Sequence, residues 1–468
     1  MAVPGHLREV ALPPVDPERL APIIGRERLD RLGERAASAR QTLAGRSVVN
    51  VNSTAAGGGV AEMLYPLLGY ARAYGIDARW LVIGGEPGFF EVTKRIHNGL
   101  YGGDGDGGAL GEAERAAYER PLAAAASALA EAVAPADVLV LHDPQTAGLI
   151  PRLRGRVGTI VWRCHVGYDG TSPWVERSWA FLEPYLAGVD AVVFSRRSFV
   201  PAFLAGARVA VVPPSIDPFT AKNEDLPDDL VRRILAATGL VAGDGALPEG
   251  LPLERVALVR DGAAPAARDP LVVQVSRWDR MKDMVGVMRA FAEGVELALG
   301  AHLVLAGPAV AGVADDPEGE DVLAESVAAR EALPAALRAR VHLACIGMGD
   351  LDGNARVVNA LQRHAAVVVQ KSLAEGFGLT VAEAMWKSRP VVASAVGGIV
   401  DQVEDGVQGL LVAPTDLAGA GAAMQELLAD AGRRRRLGEN GRRRVVDRFL
   451  ADRHLAQYAD LLTALLAR

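Results

Sequence analysis

The chain has 468 residues, half of them hydrophobic, and a formal net charge of −7. That length exceeds one ordinary core and predicts two or three domains; the acidic balance argues against a nucleic-acid partner but leaves room for a local basic pocket around one small phosphate ligand. Two cysteines, Cys164 and Cys345, are too few for a disulfide framework or a four-cysteine zinc site.

Charged, proline-containing sequence fills residues 1–44, read as an N-terminal extension with a helix near "PERLAPIIGRERLDRLGERA". Its first stretch, "MAVPGHLREVALPPVD", has no apolar h-region, so a cytoplasmic location is expected. A rhythm then starts. "SVVNVNS" reads as a strand, and "GVAEMLYPLLGYARAYG" as a helix with apolar residues at helical spacing. "ARWLVIGG", "DVLVLHD", "GTIVWRCH", "AVVFS" and "RVAVVPP" are further short apolar runs. The most apolar tract, "PLAAAASALAEAVAPADVLVL", is broken by Glu131, Pro135 and Asp137 and reads as helix, turn and strand rather than a membrane span. Residues 215–270 are turn-rich and poor in clean strands, which places the interdomain connection and an insertion there. The rhythm resumes with "LVVQVS", a helix from about 282, "HLVLAG", a helix over 321–333, "VHLACI", a helix from 354, "AVVVQK", the helix after Phe377, and "PVVAS". About fifty residues at the end are helical, and their basic run "GRRRRLGENGRRRVVDRF" reads as a solvated face.

Short apolar strands alternating with helices predict an α/β protein whose parallel sheets are covered on both faces. Two doubly wound, Rossmann-like domains in tandem are expected over 45–215 and 216–450, with a final helix at 451–468 returning to the N-terminal domain. Ligands in such sheets bind at the carboxyl ends of the strands, and two such domains facing each other would make a deep cleft.

The candidate chemistry lies at those strand ends. In "SLAEGFGLTVAEAMW", Glu375 sits in a loop after a strand and Glu383 about one turn into the next helix, with seven residues between them. A helix start is an anion site, and Gly376 and Gly378 allow close backbone approach. The two carboxylates would suit a sugar and a ribose, although a loop glutamate beside a helix-favouring one explains them equally well. In "QVSRWDRMKDM", Arg277 follows a strand and Lys282 lies five residues on, a fork and a point charge that suit a diphosphate leaving group; a solvated basic turn is the plainer reading. "NSTAAGGGVAEM" puts Gly57, Gly58 and Gly59 between the first strand and its helix, without a dinucleotide or P-loop spacing. His142 and His165 end two strands and could each bond a sugar hydroxyl, though a histidine satisfied by neighbouring backbone is the commoner case. Cys164 would point to the opposite face from His165, as buried filler. Asp104 and Asp106 in "YGGDGDGGALG" have a metal-binding D-x-D spacing but no strand to hold them, and read as a flexible loop.

Taken together, Arg277 and Lys282 as R-x4-K and Glu375 and Glu383 as E-x7-E resemble the retaining GT-B glycosyltransferases of family four. "VNSTAAGGGVAEML", "FFEVTKRIHNGLYG", "HDPQTAGLI", "WRCH", "PPSIDP", "KN" at 222–223, "DDPEG" and "EGFGLTVAEAMWKSRPVVASAVGGI" are similar to the branch of trehalose glycosyltransferring synthases, over about residues 45–430. The resemblance implies transfer of glucose from UDP-, ADP- or GDP-glucose to glucose, giving α,α-trehalose with retention, without metal or cofactor. It implies that Arg277 and Lys282 hold the diphosphate, and that Glu375, with the amides of Gly376, Phe377, Gly378 and Leu379, holds the donor glucose. Glu383 would hold the ribose, the loop with Gly58 and Gly59 would close over the ligands, and His165 would lie near the transferred sugar. Asn98, Asp143, Gln145 and His165 become acceptor contacts; Arg277, Lys282 and Glu375 become the catalytic set. Small molecules are the expected partners, with no nucleic acid and no membrane, and a homodimer stays open. The chain departs from the branch at Gly167, where the branch carries an acidic residue, and by longer sequence over 236–267 and at the N-terminus. A retaining trehalose phosphorylase, glucosyl transfer to another small acceptor, and an inactive sugar-nucleotide sensor are the alternatives; the sensor predicts loss of Arg277, Lys282 or Glu375, and all three are present.

Overall fold

Residues 7–55, 58–310 and 318–467 are described by the computed structural model. The chain divides into two units, Met1–Ser215 with Phe449–Arg468, and Ile216–Arg448. Each is built on a seven-stranded sheet.

The first sheet comprises β1 (Leu7–Glu9), β2 (Val48–Asn52), β3 (Ala78–Ile83), β4 (Val138–His142), β5 (Thr159–Cys164), β6 (Ala191–Phe194) and β7 (Val209–Val211), in the order β1-β3-β2-β4-β5-β6-β7. All neighbours are parallel except β1, which pairs antiparallel with β3, Leu7 opposite Ile83. Every residue of β2, β4, β5 and β6 is buried. Strands covered on both faces read as unbroken apolar runs, and each buried Val or Leu contributes about 1.5–3 kcal/mol. Residues 7–44 join this unit: they supply the edge strand, and the helix Arg26–Thr42 packs beside the final helix Ala451–Leu466, where Arg28 Nη2 donates to Asp452 Oδ1 at 2.9 Å. The tract singled out as most apolar forms the end of the helix Glu112–Ala132 and then β4. Among the described residues, no helix is long and apolar enough to cross a membrane.

The second sheet comprises β8 (Val256–Val259), β9 (Leu271–Val275), β10 (His302–Pro308), β11 (Val341–Ile346), β12 (Val367–Gln370), β13 (Val391–Ser394) and β14 (Gly409–Val412), in the order β14-β13-β12-β9-β10-β11-β8. It too is parallel except at one edge, where β8 runs antiparallel to β11, Leu343 opposite Val259. Two strands were not expected: β14, and β8, which lies inside the stretch read as strand-poor. The helix expected from about 282 begins instead at Met284, because Asp283 (φ +47°) caps it by accepting from Gly286 N at 3.0 Å; Arg280–Lys282 form a separate 3-10 turn.

Both sheets are doubly wound, and strand order reverses between β2 and β4 in one and between β9 and β12 in the other. The carboxyl ends of the strands at these reversals are where α/β sheets bind ligands. Ser53–Ala55 and His142–Asp143 follow the first pair; Arg277–Lys282 and Lys371–Glu375 follow the second.

Candidate active site

At the second reversal the loops after β9 and β12 meet. Lys282 Nζ donates to Glu375 Oε2 at 2.6 Å, and the same oxygen accepts from Ser372 Oγ at 3.1 Å and Gln370 Nε2 at 3.4 Å. Glu375 is only 8 % exposed, so these donors hold a carboxylate that burial alone would make costly. Arg277 Nη2 pairs with Asp279 Oδ2 at 2.8 Å, while Asp279 Oδ1 accepts from Met281 N and so shapes the turn that carries Lys282. Lys371, buried at the end of β12, ties the two loops from beneath: its Nζ donates to Asp283 Oδ2 and to Pro414 O. Sequence reasoning paired Arg277 with Lys282 and Glu375 with Glu383; the structure brings Lys282 to Glu375, with Ser372, Gln370 and Lys371 as supports it did not identify.

The turn after Glu375 is braced by a segment from another strand. Gly378 (φ +83°) opens the helix Leu379–Trp386 in the left-handed region, which glycine adopts without steric cost. Gly398 N donates to Gly376 O at 3.1 Å, and Gln402 Nε2 donates to Phe377 O and, at 3.3 Å, to Gly378 O. A Cβ at Gly397 would lie 1.6 Å from Glu375 O, and one at Gly398 2.6 Å from Phe377 Cα. Phe377 is buried, and Leu379 is the first residue of the helix.

Glu383 lies in the middle of that helix, 4 % exposed, with Lys222 Nζ 3.9 Å from its Oε1. The Lys222–Asn223 pair acts as a peg. Asn223 Nδ2 donates to Asp217 O at 3.1 Å, Asn223 O accepts from Trp386 Nε1 at 2.9 Å, and Asn223 Oδ1 accepts from Nζ of the buried Lys387 at 3.0 Å. Lys387 also donates to Gln362 Oε1 at 2.8 Å and Glu383 O at 3.3 Å. Burial pushes the Lys387 ammonium down to about 7. Below that value it is charged in both states; above it the folded protein has released a proton that the unfolded chain keeps up to about 10.4. Stability therefore rises with pH across this window. Relative to Lys387→Met, the wild type should gain up to about 1.4 kcal/mol per pH unit between about pH 7 and pH 10. Chemical denaturation of both proteins at two pH values measures the difference, and equal slopes would show that the group does not change state.

In the first unit, His142, Asp143 and His165 assemble at the ends of β4 and β5. His142 Nδ1 lies 3.2 Å from His165 Nε2, and His142 Nε2 lies 3.0 Å from the Asn50 side-chain amide. Asp143 takes φ +63°, rare for a non-glycine residue, and its Oδ1 accepts from His165 N at 2.7 Å. Burial pushes its carboxyl up to about 7. Cys164 points away into the core and donates to Val166 O; burial raises its thiol well above the ordinary value. Gly58 is the extended N-cap of the helix Gly59–Ala73, and Gly57 lies outside the described residues. Asn98 is buried near the end of the helix Pro87–Leu100; Gln145 lies in the short helix Pro144–Ala147, its Oε1 buried and without a partner among the described residues. The loop with Asp104 and Asp106 is tied down rather than loose, since Arg95 Nε and Nη2 grip Asp106 at 2.6 and 2.7 Å. At Gly167 a Cβ would lie 2.2 Å from Phe199 Cγ, so the ring fills the space a side chain would need. Asp169 is engaged by Arg196 Nη1 at 2.6 Å and Ser198 Oγ at 2.7 Å.

Residues 50–201 match the family model "Trehalose synthase, N-terminal domain", and residues 259–444 match "Glycosyl transferases group 1". Trehalose synthase from Rubrobacter xylanophilus is 36 % identical over 95 % of both chains. Trehalose synthase from Pyrococcus horikoshii is 34 % identical, again over 95 % of both. Among solved structures, a UDP-forming α,α-trehalose-phosphate synthase from Burkholderia vietnamiensis superposes with a TM-score of 0.66 at 16 % identity, covering 90 % of this chain and 98 % of that one; it shares the two-domain Rossmann-like α/β fold. With a glycosyl transferase group 1 match across the second sheet and relatives that match over 95 % of both chains, the chain belongs to the trehalose synthase family and is a hexosyltransferase of trehalose metabolism.

Proposed function

We propose that the protein moves glucose from a nucleoside-diphosphate-glucose to glucose, forming α,α-trehalose with retention at the donor's anomeric carbon. The observation that carries this reading is the Lys282–Glu375 pair, 2.6 Å apart beside the start of the helix that bears a buried Glu383. A lysine keeps two further N–H donors while bonded to one carboxylate, so Lys282 can meet a diphosphate without leaving Glu375. Negative charge grows on that diphosphate as the glycosidic bond breaks, and Lys282, Arg277 and the amides of Gly378 and Leu379 stabilise it. Glu375 accepts from donor-sugar hydroxyls and Glu383 from the ribose. The acceptor hydroxyl attacks from the side of the departing diphosphate, one of whose oxygens takes the hydroxyl proton. The protein's part is orientation and fixed charge, with neither metal nor cofactor in any of these steps. His165, Asp143, Asn98 and Gln145 serve the acceptor side of this reading, with Gly58 and Gly59 over the ligands.

Incubation with UDP-, ADP- or GDP-glucose and glucose, followed by product analysis, tests it. A non-reducing disaccharide with an equivalent of nucleoside diphosphate is expected. Turnover of trehalose with inorganic phosphate alone would replace the reading by a phosphorylase, and transfer only to other acceptors would confine it to the donor half.

A further inference from the structure

Arg163 is fully buried, and the carboxylate whose charge acts on it is that of Asp143. Its Nη2 donates to Ser195 Oγ at 3.2 Å, its Nη1 has no partner among the described residues, and its Nε points at His165 Nε2 at 3.4 Å. A guanidinium can only donate. A bare His165 Nε2 suits that contact, and it leaves the ring's proton on Nδ1. The neighbouring histidine agrees. The two rings are within 13° of parallel with centroids 5.5 Å apart, a separation that a 3.2 Å N···N contact allows only when both nitrogens lie on the line between ring centres. That is an in-plane hydrogen bond aimed along the single lone pair of His165 Nε2, so His142 Nδ1 donates it, while the Arg163 N–H meets the same nitrogen from beside that lone pair as a charge contact that disfavours a proton there. A neutral His142 then has a bare Nε2, so the Asn50 amide, placed with Oδ1 3.0 Å from it, is turned over to present its nitrogen there, since oxygen and nitrogen of an amide are told apart only by their hydrogen bonds.

We propose that Arg163, acting with His142 and Asn50, locks His165 as a neutral ring protonated at Nδ1, so that His165 is a hydrogen-bond donor to a substrate oxygen and never a general base. Arg163 and Asn50 are positioning residues; the inference rests on the glucosyl-transfer reading only for the identity of that oxygen. A neutral donor suits the reaction, because a cation beside an anomeric carbon losing its leaving group would oppose the developing positive charge. The groups facing His165 are Arg163, His142, Asp143 and His454 from the final helix, with Tyr458 facing Arg163. Burial, followed by the Arg163 charge, holds His165 well below the ordinary histidine value; burial and Arg163 likewise hold His142 down to about 3.

Histidine-selective 15N NMR of the full-length protein tests the lock, with His165 assigned by the signal lost in His165→Gln. A protonated Nδ1 and bare Nε2, unchanged from about pH 8 to about pH 5.5, are expected. A protonated Nε2, or a ring that titrates in that range, overturns the proposal whether or not the protein makes trehalose. The Arg163 variants supply the second arm. In Arg163→Met the ring stays buried and neutral, but the donor at Nε2 is gone, so the same 15N spectra should show the His165 proton shared between Nδ1 and Nε2. Arg163→Lys, which keeps a buried donor, should restore protonation at Nδ1 alone. A lowered Tm with an unchanged tautomer in Arg163→Met would reduce Arg163 to a packing role and overturn the lock.

Discussion

On the proposed reading, replacing Lys282 by Ala should lower hexosyl transfer by two to three orders of magnitude, about 2.7–4 kcal/mol of transition-state stabilisation, as for the loss of one fixed donor to developing negative charge. The geometry makes this a test of charge rather than of folding. Lys282 ends a short 3-10 turn whose shape depends on Asp279, and Glu375 keeps Ser372 and Gln370 as donors when the ammonium is gone. The cost to stability should stay within about 1–3 kcal/mol, the penalty for a partly unsatisfied buried acceptor. Steady-state kinetics with varied nucleotide sugar, beside a thermal melt, separate the two. A fall in kcat larger than the rise in KM marks an interaction made mainly in the transition state. Near-normal turnover in a folded variant would remove Lys282 from the chemistry and leave its contact with Glu375 as a structural ion pair.

The readings behind this prediction differ in how local their signals are. Central strands were legible because burial on both faces demands continuous apolar runs, as in "VLVLH" and "LVVQV". β1 and β8 were not: each is a half-exposed edge strand, and nothing in "LRE" or "VALV" marks antiparallel pairing with a strand tens of residues away. The same limit applies to the site. Lys282 and Glu375 stood out because each follows a strand whose carboxyl end must face a ligand in such a sheet. Gln402, Gly397 and Lys387 support that site through contacts that close only in three dimensions. The Asp104–Asp106 loop shows the converse, since its glycines suggested looseness while Arg95, on a helix read only as part of a longer motif, ties it down.

Gly397→Ala should damage the site about as much as loss of Lys282, although residue 397 needs no direct contact with substrate. Two costs add. Residue 397 has φ +49°, where an L-residue costs about 1–2 kcal/mol. Its Cβ would also lie 1.6 Å from Glu375 O, inside any permissible contact, so the Glu375–Gly376 backbone must move. A displacement of about 1 Å at a positioning group can cost on the order of 100-fold in rate. Gly406→Ala separates the two costs, because Gly406 has φ +73° and nothing within 4 Å of its would-be Cβ. Both variants should lose stability to the backbone term. Only Gly397→Ala should also lose about 100-fold in kcat, as Glu375 is pushed away from Lys282. Equal kcat in the two variants would mean that the turn can shift without moving the carboxylate, and that the precision attributed to Glu375 does not come from its bracing by Gly397.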